Sequence, residues 1–203
     1  MKKLILLLVA LNSQWLLAQS SELDKKVEKF LQDHRHEWHD LNVPFVDGQT
    51  LHDIIVKNHY TTALEIGTST GHSTIWLAWA MSKTGGKVIT VEVNKRRHEQ
   101  AIKNLTEAGL ISYVDARLGN AHEIVKQLPG PFDFVFSDAD KDWYQQYFID
   151  VKPKLKKAAC YTAHNVADGN VPDSYLEFVK ADKDFETTID RQSRAGIMIS
   201  YKK

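Results

Sequence analysis

One cysteine in 203 residues, Cys160 within an apolar run, rules out an internal disulfide. Neither sign of charge is in excess. With 26 basic and 26 acidic residues, no basic stripe and no interleaving of aromatic with basic residues, there is no electrostatic case for a nucleic-acid partner. Long apolar runs are also lacking. The stretch from Leu4 to Leu11 is broken by Asn12, Ser13 and Gln14, which makes it too short and too polar for a comfortable membrane span. There is no internal repeat, low-complexity tract or interdomain linker. What remains, 43% apolar and 26% charged residues, suits a single globular domain able to bury a full core without metal or disulfide staples.

The N-terminus is informative. In "MKKLILLLVALNSQWLLAQS", Lys2 and Lys3 precede the apolar run, and the small residues Ala18 and Ser20 follow it. That is the order of a secretory signal peptide, so residues 1–20 are expected to be a leader cleaved near Ala18 or Ser20. The protein is then expected to be periplasmic or secreted, or cytoplasmic if the leader does not function. Removal of both lysines would leave a mildly acidic domain over 21–203 with no membrane span.

Helical spacing of Leu23, Val27, Phe30 and Leu31 predicts a first helix, and a second is expected from Gly48 to about Asn58. These two form an N-terminal part over 21–58. From residue 59 onward, helical segments, one of them over Trp143–Lys154, alternate with strand-like runs: "TALEIG", "KVITVEV", "YVDARLG", "FDFVFSD", "ACYTAHNV", "FETTIDR" and "GIMISYK". The alternation predicts an α/β fold with a seven-stranded, mostly parallel sheet covered by helices on both faces. The short link around Gln192–Ala195 predicts an antiparallel last strand.

In such a sheet, ligands bind beyond the carboxyl ends of the strands. The first strand runs into "ALEIGTSTGHST", with the pattern Glu65-x-Gly67-x-x-x-Gly71. This is one residue short of a phosphate-binding P-loop, and no lysine follows Gly71. A dinucleotide fingerprint fails as well, because Thr68-Ser69 stands where its middle glycine belongs. Glu92 ends the next strand, where a carboxylate can accept both hydroxyls of a ribose. Glycines that admit a nucleoside, with an acid for its ribose, describe a nucleoside cofactor that needs no pyrophosphate site.

The stretches "ALEIGTSTGHS", "VITVEVN", "LGNAHE" and "FDFVFSDADKDWY" resemble the successive motifs of S-adenosylmethionine-dependent methyltransferases. The closest branch is the metal-dependent catechol and caffeoyl-CoA O-methyltransferases. The likeness runs from about Leu41 to the C-terminus and implies a Rossmann-like methyltransferase sheet. It implies methyl-donor contacts at Val43, in "LNVPFVDGQ", and at Glu65, Gly67, Thr68, Gly71 and Ser73. The same carry-over reaches Glu92, Val93, Asn120, Ala121 and Asp138. The expected activity is transfer of a methyl group to a hydroxyl of a small, catechol-like acceptor. Relatives often pair as dimers, so a homodimer is a further implication.

By the same resemblance Asp138 is the first ligand of a divalent cation, and Lys141 takes or stabilises the acceptor proton. Where the family shows an Asp-Asn pair, this chain has His164-Asn165. Imidazole is a poor ligand for magnesium and a good one for softer ions. Three readings stay open: a softer metal on Asp138, His164 and Asn165; magnesium held weakly by Asp138 and Asn165; or no metal, with His164 as general base. Asp140 is a further candidate for the metal shell. Met198 stands about where the catechol branch places an acid, and Trp38, Phe45, Trp143 and Tyr144 are candidates for an aromatic acceptor pocket. Two other functions fit less of the pattern: an altered, non-catalytic binder of the methyl donor, and a glycosyltransferase using Asp138-Ala-Asp140 as its D-x-D motif. His34, His36 and His39 do not share one helix face and read as a solvated helix.

Overall fold

Central strands that are covered on both faces read as continuous apolar runs, and "FDFVFS" is such a run, with all six residues buried. In the computed structural model, which describes residues 22–39 and 41–203, this strand lies in the middle of a seven-stranded sheet. The leader-like residues 1–20 lie outside the described residues. Among those described, no helix is long and apolar enough to cross a membrane.

A helix over 22–33 (α1) comes first. It is followed by α2 (Phe45–Asn58), β1 (Thr62–Ile66), α3 (His72–Thr84), β2 (Lys87–Glu92) and α4 (Lys95–Glu107). Next come β3 (Val114–Leu118), α5 (Ala121–Gln127), β4 (Phe132–Ser137), α6 (Tyr144–Val151) and β5 (Leu155–His164). The chain closes with α7 (Asp173–Lys180), β6 (Phe185–Asp190) and β7 (Ile197–Lys202). The strand order is β3-β2-β1-β4-β5-β7-β6. Strands β1 to β5 pair in parallel, and β7 runs antiparallel between β5 and β6. The expected Rossmann-like architecture with an antiparallel last strand is therefore present.

Alternation along the strands builds two core layers. Phe134 and Phe136 face one side, with Leu51 and Ile55 of α2 and Ile75 and Leu77 of α3. Leu64, Ile66 and Val135 face the other, with Tyr144 and Phe148 of α6 and Val179 of α7. The helix α1 joins the first layer through Val27, Phe30 and Leu31, the positions its spacing marked.

Three boundaries differ from the sequence-based expectation. Helix α2 begins at Phe45, directly after Pro44, because proline supplies a helix start without needing a donor. The helix expected over Trp143–Lys154 is shorter, with α6 flanked by 3-10 turns at Lys141–Trp143 and Lys152–Lys154. Strand β5 starts at Leu155 rather than Ala159, because an irregularity at Ala158 (φ 60°) lets the chain rejoin the ladder at Cys160.

Sheet order reverses between β1 and β4, so their carboxyl ends diverge and leave a crevice. The cavity that occupies it, about 810 Å³, is bounded by the ends of β1, β2, β4 and β5.

Candidate active site

At the β1–β2 end of the cavity the backbone comes first. Gly67 has φ +102°, and a Cβ there would lie 2.5 Å from the Asp138 carbonyl oxygen. Only glycine lets β1 pass that close to the end of β4. The same crossing is tied by Asp138 N–H donating to the Ile66 carbonyl at 2.8 Å. Gly71, at φ +95°, caps α3 and lies against Ala101 of α4.

Glu92 is 7% exposed and lines the cavity. Its Oε2 accepts from Ser69 N–H and its Oε1 from Asn94 N–H, each at 2.8 Å. The carboxylate is thus held rigidly, and each oxygen keeps a lone pair for a ligand. Gly67, Val93, Asn120, Ala121 and Asp138 line the same cavity, so these expected donor positions are brought together. The Asn120 side chain also caps α5, accepting from His122 N–H at 2.9 Å.

Other expected contacts lie behind the cavity wall. Glu65 is fully buried and accepts from the hydroxyls of Ser73, Thr74 and Thr90 at 2.5–2.6 Å. Burial pushes its carboxyl up to about 7, against the pull of those hydroxyls. Thr68 pairs with Thr90 through their hydroxyls at 2.5 Å. Glu65, Thr68 and Ser73 therefore brace the loop from beneath. Val43 sits in the core, and its carbonyl accepts from the buried His72 ring at 2.8 Å. Leu41 and Asn42, rather than the Val43 side chain, reach the cavity from this segment.

The opposite end carries the charged groups. Asp138 Oδ1 accepts a short hydrogen bond from Lys141 Nζ, which also donates to the Tyr144 hydroxyl at 2.7 Å. The 3-10 turn at Lys141–Trp143 folds Lys141 back onto Asp138, and Tyr144 is fully buried beneath the pair. His164, 4% exposed, places Nδ1 3.2 Å from Asp138 Oδ2, within ion-pair distance but off the hydrogen-bond axis. Its Nε2 lies 2.8 Å from Oδ2 of Asp47, which is itself 2% exposed. Ser193, from the β6–β7 connection, donates to the same Asp47 oxygen at 2.7 Å.

Burial alone would lower the His164 pKa, but Asp138 and Asp47 outweigh it and hold the ring at about 9. Burial alone would raise Asp138, but His164 and Lys141 keep it below the ordinary carboxylate value. The arrangement is a chain, Asp47–His164–Asp138–Lys141, whose first member is hidden from the cavity and whose other three border it.

These motifs match the O-methyltransferase family over residues 17–192, most of the chain. The chain belongs to the O-methyltransferase family. It is 43% identical over 115 residues to a catechol O-methyltransferase of Niastella koreensis, covering 54% of this chain and 52% of that one. To caffeoyl-CoA O-methyltransferase 1 of Eucalyptus globulus it is 32% identical over 118 residues, covering 56% and 48%. The chain thus spans about half the length of the curated relatives it matches. An O-methyltransferase from Bacillus cereus, solved in complex with SAH, superposes with a TM-score of 0.74 at 26% identity, covering 88% of this chain and 91% of that one. A Streptomyces achromogenes O-methyltransferase solved with SAM gives 0.72 at 28% identity, covering 87% and 89%.

The residues of this family member fit a nucleoside methyl donor. The Ser69 hydroxyl is buried in the cavity lining with no hydrogen-bond partner among the described residues, and Glu92 beside it lines the same cavity with lone pairs to spare. They do not fit a divalent cation in the same way. Both nitrogens of His164 face carboxylates, and Asp138 faces Lys141 and His164. Asn165 lines the cavity and donates its amide nitrogen to Asp168 at 2.9 Å, a bond that does not engage its Oδ1. Asp140, the further metal candidate, instead lies 3.3 Å from His122 Nε2. Among the described residues, no three His, Cys, Asp or Glu side chains converge to hold a metal ion.

The aromatic residues expected around an acceptor are also placed elsewhere. Trp38 and Phe45 pack on His72, Trp143 stacks on His122 at 3.7 Å, and Tyr144 is in the core. Tyr147 is the aromatic side chain that lines the cavity. Met198 is wholly buried and pairs with Ala163 and Ile189 across the sheet. Sequence reasoning missed Asp47 and Ser193, because no local spacing connects either of them to position 164. The Tyr144 hydroxyl was legible only as part of an aromatic ring.

Proposed function

We propose that the protein is an S-adenosylmethionine-dependent O-methyltransferase acting on a small hydroxylated acceptor. One observation carries the reading: a single cavity joins the Gly67–Glu92 cradle at one end to Lys141 and Asp138 at the other. Family membership and the SAH-bound relative support it.

The donor's sulfonium supplies the methyl group and, on transfer, keeps the electron pair of the broken S–C bond as a neutral thioether. Glu92 would accept the ribose hydroxyls, with Ser69 and the backbone at Gly67 receiving the amino-acid end. Val93, Asn120 and Ala121 would border the base. At the acceptor end, Lys141 Nζ would meet the acceptor hydroxyl, either taking its proton as the neutral amine or, as the ammonium held by Asp138, stabilising the oxyanion left when that proton passes to solvent. A new O–CH₃ bond then forms in line with the bond that breaks, and positioning supplies much of the rate. Nothing in this scheme is routed through a metal.

The names of the relatives support a catechol-like acceptor. The leader-like segment supports export, which cell fractionation with N-terminal sequencing of the mature chain would test.

Calorimetry with S-adenosylhomocysteine tests the core reading. Micromolar binding is expected, and no binding would sink it. A panel of catechols and caffeoyl esters, followed by methyl transfer from labelled donor, tests the acceptor. Binding without any turnover would make the protein a binder of the donor on this fold.

A further inference from the structure

We propose that Asp47 is a positioning residue of the transfer site, acting through His164 to hold Asp138 and Lys141, and that this side-chain chain stands where a divalent cation would otherwise act. The proposal rests on the transferase reading above.

Three separate elements build the arrangement. Strand β5 delivers His164, α2 delivers Asp47, and the β6–β7 connection delivers Ser193. Ser193 is itself held, since its hydroxyl accepts from Gly196 N–H at 3.1 Å. The His164 ring spans from Asp138 Oδ2 at 3.2 Å to Asp47 Oδ2 at 2.8 Å, so both nitrogens face carboxylates, and Nδ1 is itself buried. Asp47 does not line the cavity and cannot touch donor or acceptor. Its influence must pass through the ring. Asp138, His164 and Lys141 all border the cavity, and Lys141 is the more open of the two cations, its side chain 25% exposed against 5% for His164 and braced by Asp138 and Tyr144. An acceptor oxygen therefore meets Lys141 rather than a metal ion.

A tie between α2 and the sheet could be purely structural, and the two roles separate experimentally. The first measurement uses the unmodified full chain with S-adenosylhomocysteine present and titrates Mn²⁺, following the free-ion signal by electron paramagnetic resonance. No stoichiometric binding is expected below ~1 mM, the weak end of oxygen-ligand sites. Binding of one Mn²⁺ per chain that is abolished in Asp138→Asn would overturn the proposal. With the acceptor that turns over best, rates should stay within about twofold in excess chelator, and a loss of about tenfold or more would overturn it too.

The second measurement is the kinetic split in Asp47→Asn. We expect kcat to fall about tenfold or more, with affinity for S-adenosylhomocysteine unchanged within about twofold and partial recovery in Asp47→Glu. An unchanged kcat, or equal losses of kcat and donor affinity, would show a structural tie only. Failure of the unmodified protein to bind S-adenosylhomocysteine is a different result, because it removes the transferase reading itself.

Discussion

The backbone N–H of Ser69 donates to Glu92 Oε2 at 2.8 Å, so the loop after β1 and the end of β2 hold one carboxylate between them. Asn94 N–H holds its other oxygen at 2.8 Å. In Glu92→Gln one of these donors faces an amide NH₂ instead of an acceptor, and a ribose hydroxyl loses a charged partner. Calorimetry should show affinity for S-adenosylhomocysteine reduced by about tenfold to a hundredfold, roughly 1.4–3 kcal/mol. Undiminished affinity would place the nucleoside elsewhere.

Gly67→Ala combines a backbone at φ +102° with a Cβ 2.5 Å from the Asp138 carbonyl oxygen. Backbone strain and the clash together should cost roughly 2–4 kcal/mol, lowering Tm by roughly 5–10 °C in a domain of this size. Donor affinity should fall as well, because relief of the clash moves Asp138. A melting curve like that of the unmodified chain would contradict the closeness of β1 and β4.

Lys141 bonds to Asp138 and to Tyr144 and is the more exposed cation at the proposed acceptor end. Lys141→Met keeps much of the stem and removes the ammonium, so kcat should drop about a hundredfold while donor affinity stays within about threefold. If Lys141→Arg retains most of the rate, the lysine stabilises charge rather than carrying a proton.

His72 is wholly buried, and burial depresses its pKa from 6.5 to about 4 despite its hydrogen bond to the Val43 carbonyl. The unfolded chain therefore binds a proton between pH 6.5 and 4 that the folded chain does not. Stability falls as pH drops through that window, by on the order of 3 kcal/mol from this residue alone. Urea denaturation from pH 7 to pH 4 should show a shallower decline in His72→Phe, even though that variant starts lower at pH 7 for loss of the bond to Val43. Parallel slopes would remove His72 as the source.

Sequence determined the architecture and the grouping of the expected donor residues, because both depend on local information. Period-two and period-3.6 apolar patterns decide which segments are strands or helices. Gly67, Gly71 and Glu92 declare themselves by spacing within one strand-helix-strand unit. The replacement of an acid by His164 was likewise visible as a departure from the family pattern. What that replacement means was decided by tertiary structure. Asp47 and Ser193 lie far from His164 along the chain and on different elements, yet both of their side chains converge at its Nε2 end. A buried imidazole has only two nitrogens, and the packing of α2 and the β6–β7 connection against β5 decides what each of them faces. Sequence left three readings open: His164 as ligand of a softer metal, a weak magnesium site on Asp138 and Asn165 without it, or His164 as general base. The folded chain instead sets it between two carboxylates, because a buried charged group persists only where it is paired.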